Sequence, residues 1–144
     1  MAATILTTIA IDGSRDFVAR IDITGDAAGD VSATPIIDPQ AAIASVQASV
    51  GLKGLPTDFK IKSVDWEFTG FTGALLWDAT TDVLAVALPQ YDGRMDFVDG
   101  SGIPLVNNAG TGKTGKLLLS TSGLAANKWG TIIIKGYHNT NTVA

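Results

Sequence analysis

The chain of 144 residues has no cysteine, one histidine and one glutamate. Without cysteine there is no disulfide, no thiolate zinc site and no thiol nucleophile, and the redox compartment is left open. His138, the sole imidazole, cannot build a zinc centre alone. A Ser–His–Asp triad would have to run through it, and no Gly-x-Ser-x-Gly elbow accompanies it. No apolar run approaches 18 residues, so no membrane-spanning helix is expected. The first eleven residues are apolar but lack a basic segment and are interrupted by Thr, which reads as an N-terminal strand rather than a signal peptide. Seven Lys and three Arg are scattered singly against fourteen acidic residues, for a net charge of −4. Neither nucleic acid nor an anionic membrane is therefore an expected partner. These absences argue against an enzyme, and no cofactor or metal is expected.

What is present points to β structure. Thirteen of the fourteen acidic residues are Asp, which favours turns and caps, while Glu favours helices. Sixteen Gly and sixteen Thr lean toward turns and strands. One domain of this length buries roughly 70% of the surface its unfolded chain exposes, so it folds without a staple. Val64, Trp66 and Phe68 alternate with Asp65 and Glu67, the period of a strand with one buried face. A strand at 74–77, a turn at 78–82 and an apolar run to Leu88 follow. Residues 4–12 and 15–24 read as a hairpin about Asp12-Gly13-Ser14, with Phe17, Ala19, Ile21 and Ile23 on one face. Further strands are expected at 95–98, 116–121 and 129–137, with a turn at 89–94 and a long Gly- and Asn-rich loop at 99–115.

The one helix expected spans about residues 39–50. Asp38 would cap it, Pro39 would open it, Ile43, Val46 and Val50 would form its apolar stripe, and Gly51 would end it. Seven to nine short strands with turns about every ten residues predict an antiparallel β-sandwich or jelly-roll-like domain with that helix at its side, an up-and-down barrel being the rival. Residues 1–12 are an N-terminal strand or docking arm, 13–138 a single β-rich domain and 139–144 a polar tail.

Three constellations invite a chemical reading. Asn107-Asn-Ala-Gly-Thr-Gly-Lys-Thr114 approaches a phosphate-binding loop, but Asn107 replaces the first glycine and a strand follows where a helix must open. Asp22, Asp26 and Asp30 are spaced by four, and Asp92, Asp96 and Asp99 lie within eight residues. Asp-rich loops bind calcium, yet neither set has EF-hand spacing or a terminal Glu, so turn formers and solvated carboxylates are expected. Trp66, Trp77, Trp129, Tyr91 and Tyr137 could form a sugar-stacking platform. Strand aromatics more often pack inward, the expectation for Trp66 and Trp129, whereas Trp77 is ambiguous and Tyr91, in a turn, is expected outside.

Residues 75–89, 95–123 and 129–137 follow an order that resembles short β-rich virion proteins of tailed bacteriophages, of the head decoration (cement) type. The resemblance covers roughly residues 59–137 and rests on structural motifs. It implies a non-enzymatic structural protein on the capsid surface of a virion, made in the bacterial host cytoplasm. Such a protein bridges subunits of the major capsid protein and associates with itself as a dimer or trimer. Another virion component, such as a tail-tube or head–tail joining protein, and a carbohydrate-binding module are the alternatives. Candidate partner contacts are Ile5, Leu6 and Ile9 in the N-terminal strand, whose edge could add to a neighbour, and Tyr91. Ile36 and Ile37, an apolar bulge in a polar loop, are either contacts of the same kind or packed inward beneath the helix.

Overall fold

A computed structural model describes residues 4–12, 16–27, 29–37, 59–89, 91–98, 104–112 and 114–138. They form nine strands: β1 (Thr4–Asp12), β2 (Asp16–Thr24), β3 (Thr34–Ile37), β4 (Phe59–Phe68), β5 (Thr72–Trp77), β6 (Val83–Leu88), β7 (Asp92–Asp96), β8 (Leu117–Ser122) and β9 (Trp129–His138). Sheet A has the order β1-β2-β9-β4-β7 and sheet B the order β3-β8-β5-β6. All pairings are antiparallel, and the two sheets pack into the expected sandwich. The helix expected at 39–50 lies outside the described residues, as do Asp99, Lys113 and the tail at 139–144.

The pairing is nested. β2 pairs with β9, β3 with β8, β4 with β7 and β5 with β6. From β2 to β9 the chain is therefore one long antiparallel ribbon, folded back between β5 and β6. Successive ribbon pairs fall alternately in sheet A and sheet B. Rolling a ribbon in this way produces a jelly roll. β4–β9 and β5–β8 pairing closes the roll, and β1 extends sheet A by a hairpin with β2.

The core lies between the sheets. Sheet A contributes Ala19, Ile21, Ile23, Phe59, Ile61, Val64, Trp66, Phe68, Ile132 and Ile134, and sheet B contributes Ile36, Ile37, Leu75, Trp77, Val86, Leu88, Leu117 and Leu119. Phe71 and Leu124 close one end, where Phe71 stacks on Phe68 with centroids 4.5 Å apart. Trp77 is fully buried and meets Phe59 edge-on at 5.3 Å, which resolves its ambiguous face. Bulges keep apolar residues inward. In β4, Lys62 is the extra residue between the Ile61↔Gly136 and Ser63↔Lys135 pairs. Across it, the buried positions pass from Phe59 and Ile61 to Val64, Trp66 and Phe68.

Two strand expectations need correction. β3 was expected as a loop; it is a four-residue edge strand in which Pro35 needs no ladder donor on its free side. Ile36 is the extra residue of a bulge between the Pro35↔Leu118 and Ile37↔Leu117 pairs. Ile36 and Ile37 both face the core, so they are not presented as contacts at the surface. β7 runs over 92–96 rather than 95–98, and Asp92-Gly93 belongs to the strand. Gly93 pairs with Trp66, and a Cβ there would stand 2.7 Å from the indole. The glycine is what lets the large ring lie flat against the neighbouring strand.

Candidate functional site

The remaining sequence candidates occupy sheet A. Ile5 is half-buried and packs on the core, so it contributes little outward surface. Ile9 pairs with Ala19 in the β1–β2 ladder. Leu6 and Tyr91 are exposed by 58% and 59%. β1 is thus bound along its length to its own sheet, and Thr7 Oγ1 also donates to Ile36 O of β3 at 2.6 Å.

Trp129 joins them, against expectation: it is 51% exposed. On β9 the buried parity holds Gly130, Ile132, Ile134 and Gly136, so Trp129 falls on the outer parity with Thr131, Ile133 and Lys135. Lys135 carried the signal, because a charged residue six positions on shares a strand face with Trp129. Trp129 pairs with Thr24, and Leu6 pairs with Asp22 one row along. Tyr91 lies beside the end of β4, where its carbonyl accepts from Phe68 N at 2.5 Å. Leu6, Trp129 and Tyr91 therefore lie near one end of sheet A, successive ones about 10 Å apart by strand spacing, with Leu6 and Trp129 on the outer face and Tyr91 at the rim opposite Phe68.

That end is held tightly. Thr69 N and Thr69 Oγ1 both donate to Trp129 O, at 2.9 and 2.7 Å, and Trp129 N donates to Thr69 Oγ1 at 2.8 Å. The ammonium of Lys128 donates to the carbonyls of Gly70 and Gly123, at 2.9 and 2.8 Å. Gly25 N donates to Lys128 O at 2.7 Å. Asp30 Oδ1 accepts from Leu124 N at 2.7 Å and from Thr121 Oγ1 at 3.0 Å. The Leu124 amide is the main cause holding the Asp30 carboxyl below its ordinary value, against a desolvation that raises it. Thr121, the Gly123 amide and Lys128 lower it further. The β2–β3, β4–β5 and β8–β9 connections are thereby tied together around the base of Trp129.

The two outer faces differ in charge. The strands of sheet B contain no Asp, Glu, Lys, Arg or His. On its outer face Pro35, Leu118, Leu76 and Leu84 form one register row, followed by Ser120, Ala74 and Ala87. A shallow depression of about 210 Å³ is lined by Thr72, Gly73, Ala74, Ser120, Thr121 and Ser122. Sheet A instead carries the ion pairs Arg20–Asp22 at 3.0 Å, Arg94–Asp65 at 3.6 Å and Arg94–Asp96 at 3.3 Å. These pairs are exposed enough to add little stability.

The other constellations resolve into structural roles. The segment resembling a phosphate loop runs into β8, a strand. Thr114 Oγ1 donates to Asp78 Oδ2 at 2.6 Å, and Thr80 N donates to Thr111 O at 3.0 Å, so the segment is docked on the β5–β6 turn. Asn107 Oδ1 caps its own turn by accepting from Ala109 N at 2.9 Å. Among the described residues no group of three or more His, Asp or Glu is placed to hold a metal ion. Asp30 is spent on loop amides, and Asp22 accepts from Arg20 and Thr131. Trp66 and Trp77 are buried, which reduces the aromatic platform to Trp129 and Tyr91, with Tyr137 half-buried near Lys62. No family model, curated protein or solved structure matches the chain.

Proposed function

We propose that the protein is a non-enzymatic structural component of a phage virion, which decorates and stabilises the capsid by bridging subunits of the major capsid protein. The observation that carries this reading is the arc of Leu6, Trp129 and Tyr91 on a hydrogen-bonded end of sheet A. Large exposed aromatics on rigid backbone suit protein contacts, because little conformational freedom is lost when they are covered. An arc about 20 Å wide can reach across a joint between two subunits. The resemblance of residues 59–137 to head decoration proteins supplies the capsid as the repeating partner. Many shallow contacts repeated by symmetry then stabilise a shell even when each one is weak.

The test is occupancy on particles that encode the protein. Trp129→Ala and Leu6→Ser are expected to lower occupancy at least about tenfold, the scale of one lost anchor of roughly 1.4 kcal/mol or more. Their melting temperatures should stay within a few degrees of the parent. Full occupancy in both variants would overturn the reading, and density on the tail would move the protein to another virion component. A second reading has its own support, since Trp129 is flanked on its strand face by Thr24, Thr131 and the carboxylates of Asp22 and Glu67. Aromatic and hydroxyl-accepting groups together fit a sugar ring. Glycan-array binding that Trp129→Ala abolishes would favour a carbohydrate-binding module over the capsid.

A further inference from the structure

Among the described residues, three buried side-chain polar atoms lack a hydrogen-bond partner: Ser63 Oγ, Trp77 Nε1 and Asn107 Nδ2. A buried unpaired hydroxyl costs stability and calls for an explanation. Trp77 lies in the core, whereas Ser63 belongs to the charged side of sheet A. Ile61 and Val64 both face the core, so the β4 bulge leaves the two residues between them, Lys62 and Ser63, on the outer side. Both stand opposite Lys135 of β9. Ser63 is nevertheless only 1% exposed. An outer serine so covered is roofed by its neighbours, which by register are Lys62, Lys135 and, on β7, Asp96. Lys60 follows one row on, opposite Tyr137, and the Lys62 ammonium stands 6.0 Å from the centre of the Tyr137 ring. Three of the seven lysines are thus rooted within about 10 Å of Ser63 by strand spacing. Among the described residues none of the three is ion-paired with a carboxylate. Asp96 is engaged by Arg94 at 3.3 Å, and Asp16 stands opposite Tyr137 on β2, at the far end of the group.

We propose that the outer side of the β4 bulge binds a tetrahedral oxyanion, a phosphate or sulfate group, through the ammonium groups of Lys62 and Lys135 and the hydroxyl of Ser63. Lysine stems turn about several bonds, so the two that roof Ser63 can lift and meet an anion above it. The hydroxyl then donates to an anion oxygen, the partner it otherwise lacks. Lys60 adds positive charge at the rim. Two ammonium groups and a hydroxyl approach from three directions, which suits oxygens at tetrahedral corners better than the two coplanar oxygens of a carboxylate. β4 and β9 each have a strand on both sides, so the backbone beneath is fixed before the anion arrives. The inference does not rest on the capsid reading.

Amide NMR titration of the full chain with sodium phosphate or sodium sulfate, at constant ionic strength, tests it. Shifts at residues 60–63 and 134–136 should saturate, with half-occupancy at about 1 mM, the strength of a few charge-assisted hydrogen bonds. Lys62→Gln and Lys135→Gln should each weaken binding at least about fivefold. Ser63→Ala, which removes only an unpaired group and should keep the fold, should weaken it at least about threefold. Lys116→Gln, beside β8 in sheet B, should bind as the parent does. Acetate should bind at least about tenfold more weakly than phosphate. A sulfated disaccharide separates the sources: tighter binding than inorganic sulfate assigns a group carried on a sugar, and equal or weaker binding assigns a free ion. A parent with no saturable shift up to about 50 mM phosphate overturns the inference. So do equal affinities for acetate and phosphate, or binding that survives Ser63→Ala and both lysine changes.

Discussion

Single atoms decide how tightly the sandwich closes at Gly130. A Cβ at this position would lie 2.6 Å from Phe68 Cδ1, 2.8 Å from Phe71 Cζ and 3.1 Å from Glu67 O. Both rings are buried and stacked on each other, so neither can swing away. Gly130→Ala should cost about 1–3 kcal/mol through overpacking, read as a lower urea midpoint with an unchanged slope. Ser63 presents the opposite case. Its hydroxyl is buried at the β4 bulge and has no hydrogen-bond partner among the described residues. Ser63→Ala removes that unpaired group, so stability should rise by about 1 kcal/mol and melting temperature by about 2–4 °C. A fall in melting temperature would mean that the hydroxyl has a partner.

Among the connecting elements, the β2–β3 loop depends most on charge. Asp30 holds it to the β8–β9 connection through the Leu124 amide and the Thr121 hydroxyl. Because its folded pKa lies below the ordinary carboxylate value, the ionised form stabilises the fold. That contribution is complete above about pH 4 and disappears as the pH falls through the depressed folded value. Asn can still accept the Leu124 hydrogen bond but lacks the charge. Asp30→Asn should thus melt earlier than the parent at pH 7, with the gap narrowing at pH 3. A gap of constant size would show that the carboxylate charge contributes nothing. Element by element, the sequence was clearest where alternation was unbroken. β1, β2, β5, β6, β8 and β9 lie within a residue or two of expectation. β3 and β7 were hidden, because each owes its place to a neighbour. Pro35 reads as a loop residue until β8 pairs with one side of it, and Asp92-Gly93 reads as a turn until Trp66 requires a glycine opposite. Trp129 was misassigned because β9 is apolar on both parities near its start, and only Lys135 betrays which one faces water.

At the scale of the whole molecule, composition pointed to a β-sandwich, but it could not show the nesting that makes the sandwich a jelly roll. Nesting is a statement about pairs such as β2 with β9, more than a hundred residues apart, and no local pattern records it. The same limit applied to function. Absent residue types narrowed the chemistry, whereas the arc of Leu6, Trp129 and Tyr91 exists only once β1, β9 and the end of β4 are side by side. That β6 stands at the end of sheet B was likewise invisible, since a buried strand and an edge strand can share one apolar sequence. The nested order also bears on how the molecule is made. β9 is the last of the nine described strands in chain order, yet it occupies the middle of sheet A and alone joins the β1–β2 hairpin to β4. During synthesis, that hairpin can take its place in sheet A only once β9 has emerged, whatever hold Thr7 takes on Ile36 beforehand.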